Sequence, residues 1–264
     1  MYTLSEIFVY PVKSLGGISV NSAFAGERGL KYDRRFLLVD ENGVFITQRD
    51  FSQLALLKLS FIENGFNILN TKDNSHTLIP FESDSKEVIN VTIWDDVCNA
   101  LRVNKDLDNW FSKAISKNCS LVYMPDYEKR IVEKKYIDED HIVSFADAYP
   151  YLIIGQSSLD DLNTRLDRPI PMNRFRPNFV FTGGKPYEED VWKDFRIGNA
   201  EFKAVKPCAR CVITTTNQDT AERNVEPLKT LSKYRNVNNK VMFGMNVVCN
   251  QRGNISVGEK IILF

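Results

Sequence analysis

The sequence predicts a mainly β protein with a few helices, divided into two domains. Three observations carry that expectation. Short runs rich in β-branched and aromatic residues recur at strand length and are separated by turn signals such as Asn-Gly and Gly-Gly. One helix stands out in the first half, at residues 107–115, where Leu107, Trp110, Phe111, Ala114 and Ile115 form an apolar stripe. Residues 125–140 then turn charged and nearly core-free, with Glu128-Lys129-Arg130 and Glu133-Lys134-Lys135, as a segment crossing between two cores does. The division is placed there, giving domains 1–125 and 126–264. At 264 residues and 43% apolar, the chain is long enough for two modest cores.

Residues 3–10 alternate, with Leu4, Phe8 and Tyr10 on one face and Ile7 and Val9 on the other, and Pro11 ends the run. Lys13-Ser14 before Gly16-Gly17 bring ammonium, hydroxyl and backbone N–H groups to an oxyanion such as phosphate, or else form a solvated turn. Runs 35–39 and 44–47 flank Glu41-Asn42-Gly43 as a hairpin. Its pairing brings Arg34, Arg35 and Arg49 to one end, where an anion is easily held; solvated surface arginines are the plainer alternative. Strands at 54–61, 66–69, 88–94 and 97–103 make this half a β-barrel or sandwich.

In the second half, Phe145-Ala146-Asp147 precede a strand at 152–155. Ser157-Ser158 head a helix lined by Leu159, Leu162 and Leu166, with Asp160 and Asp161 approximating a capping box and the helix start offering an anion site. Asn173-Arg174-Phe175-Arg176-Pro177-Asn178 then gather two arginines and two asparagines at the entry of a strand at 179–182. Such planar donors suit phosphate or a fused heterocycle. Trp192 and Phe195 read as core anchors and 202–205 as a strand. A short helix opens at Glu226-Pro227, and strands at 241–249 and 255–263 close the chain.

Cys208-Ala209-Arg210-Cys211 is the stretch on which the chemistry centres. Lys206 and Arg210 lie within a few bonds of both sulfurs, and nearby cations favour thiolate. The five β-branched residues Val212–Thr216 are expected to form a strand that pins the turn at its mouth. Zinc wants a second ligand pair, which five scattered cysteines and two histidines, His76 and His141, do not supply. A dithiol redox motif normally opens a helix, and two buried structural thiols do not call for flanking cations. A single-thiolate site for a soft or high-valent metal remains, with the other ligands brought by an organic, anionic, nitrogen-rich cofactor.

Bulk properties narrow the classes further. The 34 basic and 34 acidic residues cancel, so no overall field draws the chain to nucleic acid or an anionic membrane. No apolar run reaches membrane-spanning length and no signal peptide opens the chain, so a cytoplasmic protein with reduced thiols is expected, and no long heptad points to an obligate dimer.

Several segments, in order, resemble the molybdenum cofactor sulfurase C-terminal (MOSC) domain family in its two-part form with an N-terminal β-barrel. They are Tyr10-Pro11-Val12-Lys13-Ser14, Asp33-Arg34-Arg35-Phe36, Thr47-Gln48-Arg49, Asn173 to Asn178 and Cys208 to Cys211, with Trp192, Ile197-Gly198, Glu226-Pro227-Leu228 and Val257-Gly258. The likeness covers essentially the whole chain and is nearest to the amidoxime reducing components and their bacterial counterparts. It implies a second β-barrel in the C-terminal half and a molybdenum-molybdopterin cofactor (Moco). Cys211 is the implied metal ligand and catalytic residue. Lys13, Ser14, Arg35, Arg49, Asp147, Arg176, Asn178 and Arg210 are the implied cofactor-binding residues. Ala148 and Tyr149 stand where relatives often carry a hydroxyl residue after the aspartate. The implied activity is reduction of N-hydroxylated or N-oxide small molecules, with electrons from a separate ferredoxin, flavodoxin, cytochrome or flavin reductase. A carrier of the cofactor, or of persulfide sulfur on Cys208 or Cys211, is the alternative.

Overall fold

The computed structural model describes residues Met1 to Phe264. Its C-terminal half is a closed seven-stranded barrel. The strands follow the order Tyr151–Gly155, Phe179–Thr182, Tyr2–Val9, Lys260–Leu263, Asp194–Ile197, Ala200–Ala209 and Lys240–Gln251, and the last pairs back to the first. Only the pair Tyr151–Gly155 with Phe179–Thr182 is parallel. The chain's first strand is thus built between two C-terminal strands, and Ser22–Gly26 pairs likewise with Gly253–Ser256. Closure leaves those seven strands without a bare edge and encloses Leu4, Ile7, Phe179, Phe195, Phe202 and Val247.

Strict alternation fails in the first strand. The register against Phe179–Thr182 shifts between Leu4 and Glu6, a bulge that turns Leu4 and Ile7, three residues apart, into the same core. Phe8 instead packs against a second cluster with Val180 and Phe243.

In the N-terminal half, the sheet Phe36–Val39, Ser120–Tyr123, Asp96–Arg102, Val88–Ile93 and the meander Leu57–Ile62, Gly65–Asn70, His76–Pro80 enclose Phe36, Phe66, Ile68 and Leu121. The helix Lys105–Ile115 packs Leu107, Phe111 and Ile115 into that core. Asn104 caps it by accepting a 2.8 Å bond from the Leu107 N–H, and the left-handed Ser116 ends it.

Several expectations need correction. Gly43 makes the turn with φ of 76°, but the return run forms only single bridges, Val39 to Phe45 and Val44 to Thr92. Run 54–61 begins as a 3-10 turn, Ser52–Leu56, and an unexpected strand follows at His76–Pro80. Run 255–263 is broken by the left-handed Gly258 into two strands. Segment 125–140 is not core-free, because Arg130, Val132 and Ile137 are buried and Arg130–Ile131 pairs with Ile142–Val143. The capping box does not form at Gln156–Asn163. Glu189 reaches that helix start instead, accepting from the Gly155 N–H at 3.1 Å and from the Ser158 hydroxyl at 2.9 Å, so the expected anion site is filled by the chain's own carboxylate. No helix is long and apolar enough to cross a membrane.

Candidate functional site

The strand Ala200–Ala209 runs into the cysteine motif from its N-terminal side, so Cys208 lies in the strand and Cys211 just beyond it. Val212–Thr215 is a 3-10 turn rather than the expected strand. The threonines explain this: the Thr214 hydroxyl donates to the Cys211 carbonyl at 3.0 Å and that of Thr215 to the Val212 carbonyl at 2.7 Å. Such back-bonding gives the backbone a local alternative to a sheet ladder.

Both cysteines face a cleft between the two halves. Lys13, Ser14, Arg49, Asp147, Arg176, Asn178, Arg210 and Cys211 line it, brought together from segments up to about two hundred residues apart. Arg35 does not. Its guanidinium points the other way, to the Met124 carbonyl, the Tyr123 hydroxyl at 3.1 Å and Asp126 at 2.8 Å. Arg34 takes the place in the cleft that the sequence reading gave to Arg35. Its left-handed backbone, φ 48°, reverses which of the two neighbouring side chains faces inward.

The cleft has about 120 Å³ of room, enough for a phosphate-sized group, and it is open to solvent, so a larger guest would project from its mouth. Five cationic side chains line it, Lys13, Arg34, Arg49, Arg176 and Arg210, against one carboxylate, Asp147. Lys13 is buried and donates to Asp147 at 2.6 Å and to the Phe145 carbonyl at 2.7 Å. Burial pulls the Lys13 ammonium down to about 8, with Asp147 opposing the shift. Surrounding protein by itself raises Asp147, but Lys13, Arg49 and donors from Lys13 and Trp94 outweigh it and hold the carboxyl well below its usual range. Because 53% of the Asp147 side chain is exposed, solvent moderates that effect.

The Tyr10 ring lies between two guanidiniums, those of Arg34 and Arg176, each 4.3 Å from its centroid. Burial lowers Arg176 to about 10 and raises Tyr10 to about 12. Asn178 is fully engaged below the cleft. It accepts from Arg34 at 3.1 Å and donates to Asp33 at 3.1 Å and to the Phe8 carbonyl at 3.2 Å, so it positions Arg34. Arg210 donates to the Cys208 sulfur at 3.0 Å and to the Phe175 carbonyl at 2.6 Å.

Two residues beyond the site residues expected from the sequence, Arg130 and Trp94, support the site. Arg130 donates to the Ser144, Ala146 and Asp147 carbonyls and fixes the loop that carries Asp147. Trp94, left-handed and half exposed, covers Arg49 at 4.4 Å and donates to Asp147 at 3.2 Å. Tyr149, two residues after Asp147, also lines the cleft and its hydroxyl is buried. Arg130 was hidden in a charged run and Trp94 in a strand, and neither offered a separate signal.

The lining suits an anionic guest that brings its own metal ligands. Arg49 Nη1, Arg210 Nε and the Tyr149 hydroxyl are buried without hydrogen-bond partners, which leaves donors to spare. No three His, Cys, Asp or Glu side chains are grouped to hold a metal by themselves.

Comparison with known proteins agrees with this architecture. The MOSC N-terminal beta barrel domain matches residues 1–118 and the MOSC domain matches residues 140–262. The chain belongs to the MOSC domain family. Within it, the mitochondrial amidoxime reducing component 2 of Macaca fascicularis is 32% identical over 88% of this chain and 72% of its own. The mitochondrial amidoxime-reducing component 1 of Mus musculus is 30% identical over 99% and 82%. The molybdenum cofactor sulfurase of Oryza sativa is 32% identical over 92% of this chain but 32% of its own length. This MOSC chain therefore matches roughly three-quarters of the length of the amidoxime reducing components and about a third of the sulfurase.

Proposed function

We propose that this protein binds molybdenum-molybdopterin and reduces N-hydroxylated or N-oxide small molecules. The observation that carries the reading is the convergence of five cationic side chains and two cysteine sulfurs in one cleft, with buried donors left unpaired. Lys13, Arg34, Arg49, Arg176 and Arg210 would hold the phosphate and the pterin, and the Cys211 sulfur would ligate the metal. Cys211 lies past the end of its strand, whereas the Cys208 sulfur already accepts a hydrogen bond from Arg210. When bound, the cofactor supplies the two-electron metal chemistry that removes oxygen from nitrogen. The overall change consumes two electrons and two protons: the N–O bond breaks and the oxygen leaves as water, with an N–H bond formed on an N-hydroxylated substrate and the nitrogen lone pair restored on an N-oxide. The protein's part is to grip the anionic end and keep Asp147 ionised beside Lys13 and Arg49. Electrons come from a separate redox protein.

The carrier alternative draws on the same Cys208 contact, since a sulfur held by Arg210 at 3.0 Å is placed to take sulfane sulfur from a donor persulfide, whose own thiol then leaves. The test uses protein made in a host that synthesises the cofactor. Close to one molybdenum per chain, with benzamidoxime reduced by a chemical donor, is expected for wild type. Cys211→Ala should lose both the metal and the activity. Metal without any turnover would favour the carrier, and loss of metal in Cys208→Ala alone would reassign the ligand.

A further inference from the structure

A second cleft lies behind the cysteine turn, with about 930 Å³ of room. The two clefts share a wall. Ile213 and Phe175 line the first, while Thr215 and Arg174, on the same two segments, line the second. Thr215 is four residues from Cys211, about 8 Å at the rise of a 3-10 turn. The threonine back-bonds stiffen this partition.

The second cleft is locally basic in a chain whose charges otherwise cancel. Six cations, Arg165, Arg168, Arg174, Arg223, Lys229 and Lys233, face three acids, Asp167, Glu222 and Glu226. Arg165 is spent on Asp161, and Glu226 accepts from the Thr230 N–H at 2.9 Å, capping the helix Leu228–Ser232. Arg168, Lys229 and Lys233 are exposed and make no ion pair, and the buried Nη1 of Arg174 has no acceptor. Free cations spread along an open rim match an extended acidic surface better than a small enclosed anion.

We infer that this basic cleft is the docking site of an acidic protein electron donor, which delivers electrons to the cysteine site across the turn Val212–Thr215. The inference rests on the reductase reading and deepens it. A donor on this face leaves the mouth of the first cleft open to substrate, so the two would not compete for one opening. Two electrons are consumed per N–O bond broken, so a one-electron donor docks twice in each cycle.

The test uses the cofactor-loaded protein, with reduced ferredoxin and reduced flavodoxin as acidic probes and reduced benzyl viologen as a small donor. The variant Arg168→Glu/Lys229→Glu/Lys233→Glu should lose about tenfold or more of its rate with subsaturating protein donor, and the wild-type rate should fall as salt is added. Viologen-driven turnover should stay unchanged. The control Lys105→Glu/Lys113→Glu, on the helix of the other half, should behave as wild type with every donor. Independently of turnover, carbodiimide cross-linking should join Lys229 or Lys233 to carboxylates of the probe. Wild-type rates from the protein donor in the triple variant, no transfer from either probe while viologen works, or cross-links confined to another face would overturn the inference. Absence of viologen-driven turnover would instead remove the reductase reading, and the cross-links would still decide the docking site.

Discussion

The ion pair between Lys13 and Asp147 joins the two halves of the chain at the floor of the cleft, and its worth is measurable by a double-mutant cycle. Lys13→Met keeps the length of the side chain and removes the charge, while Asp147→Asn keeps the shape of its partner. Breaking a fully buried pair costs roughly 3–5 kcal/mol. Lys13 is buried, but Asp147 is half exposed and also faces Arg49 and Trp94, so the coupling is discounted to about 1–2 kcal/mol. Lys13→Met additionally leaves the Phe145 carbonyl without its donor, bringing its total to about 2 kcal/mol. At a urea slope of about 2 kcal/mol/M that lowers the unfolding midpoint by roughly 1 M. The pH dependence supplies a second check. The Lys13 ammonium loses its proton at about 8 in the folded chain and at 10.5 in the unfolded one. Between those values the unfolded chain binds the extra proton, so wild type gains stability over Lys13→Met as pH rises, by about 1 kcal/mol from pH 7 to 9. Retention of an anionic cofactor should decline over the same window as the cation is lost. Single-variant effects that add within about 0.3 kcal/mol, with a wild-type advantage independent of pH, would refute the assignment of this pair.

Two other outcomes are expected. Arg34→Ala should release the cofactor readily, because it removes a cation from the cleft and one of the two guanidiniums on Tyr10, whereas Arg35→Ala should retain it; molybdenum content after gel filtration distinguishes them, and the reverse order would show that Arg35 turns inward in solution. Gly17→Ala should destabilise the chain by about 1–3 kcal/mol, since its Cβ would lie 2.4 Å from Tyr10 Cε1 and displace the ring from between Arg34 and Arg176. Denaturation midpoints read that cost, and an unchanged midpoint together with unchanged cofactor retention would show that the ring is not held as described.

Much of this architecture was legible in local pattern. The strand Phe179–Thr182, the helix Lys105–Ile115 and the core places of Trp192 and Phe195 follow from side-chain period and caps, which neighbouring residues impose. Lys13, Ser14, Arg49, Asp147, Arg176, Asn178, Arg210 and Cys211 were recognisable because their short motifs stand in order along the chain, and they do line one cleft.

What escaped the sequence depends on partners distant in the chain. Nothing near residue 5 announces the bulge that turns Leu4 and Ile7 into one core, because the register is set by Phe179–Thr182. Glu189 reads as one more acid in a charged turn, yet it closes the start of a helix more than thirty residues earlier. The run Val212–Thr216 carries strong strand propensity, but three-residue hydroxyl bonds outweigh it once the preceding strand has used the sheet position. Composition and motif order determined the class of fold and the kinds of group at the site. Which of two adjacent arginines faces the cleft, and that the first strand closes the last barrel, were decided only by packing, because a backbone angle or a pairing register has no meaning until its distant neighbour is in place.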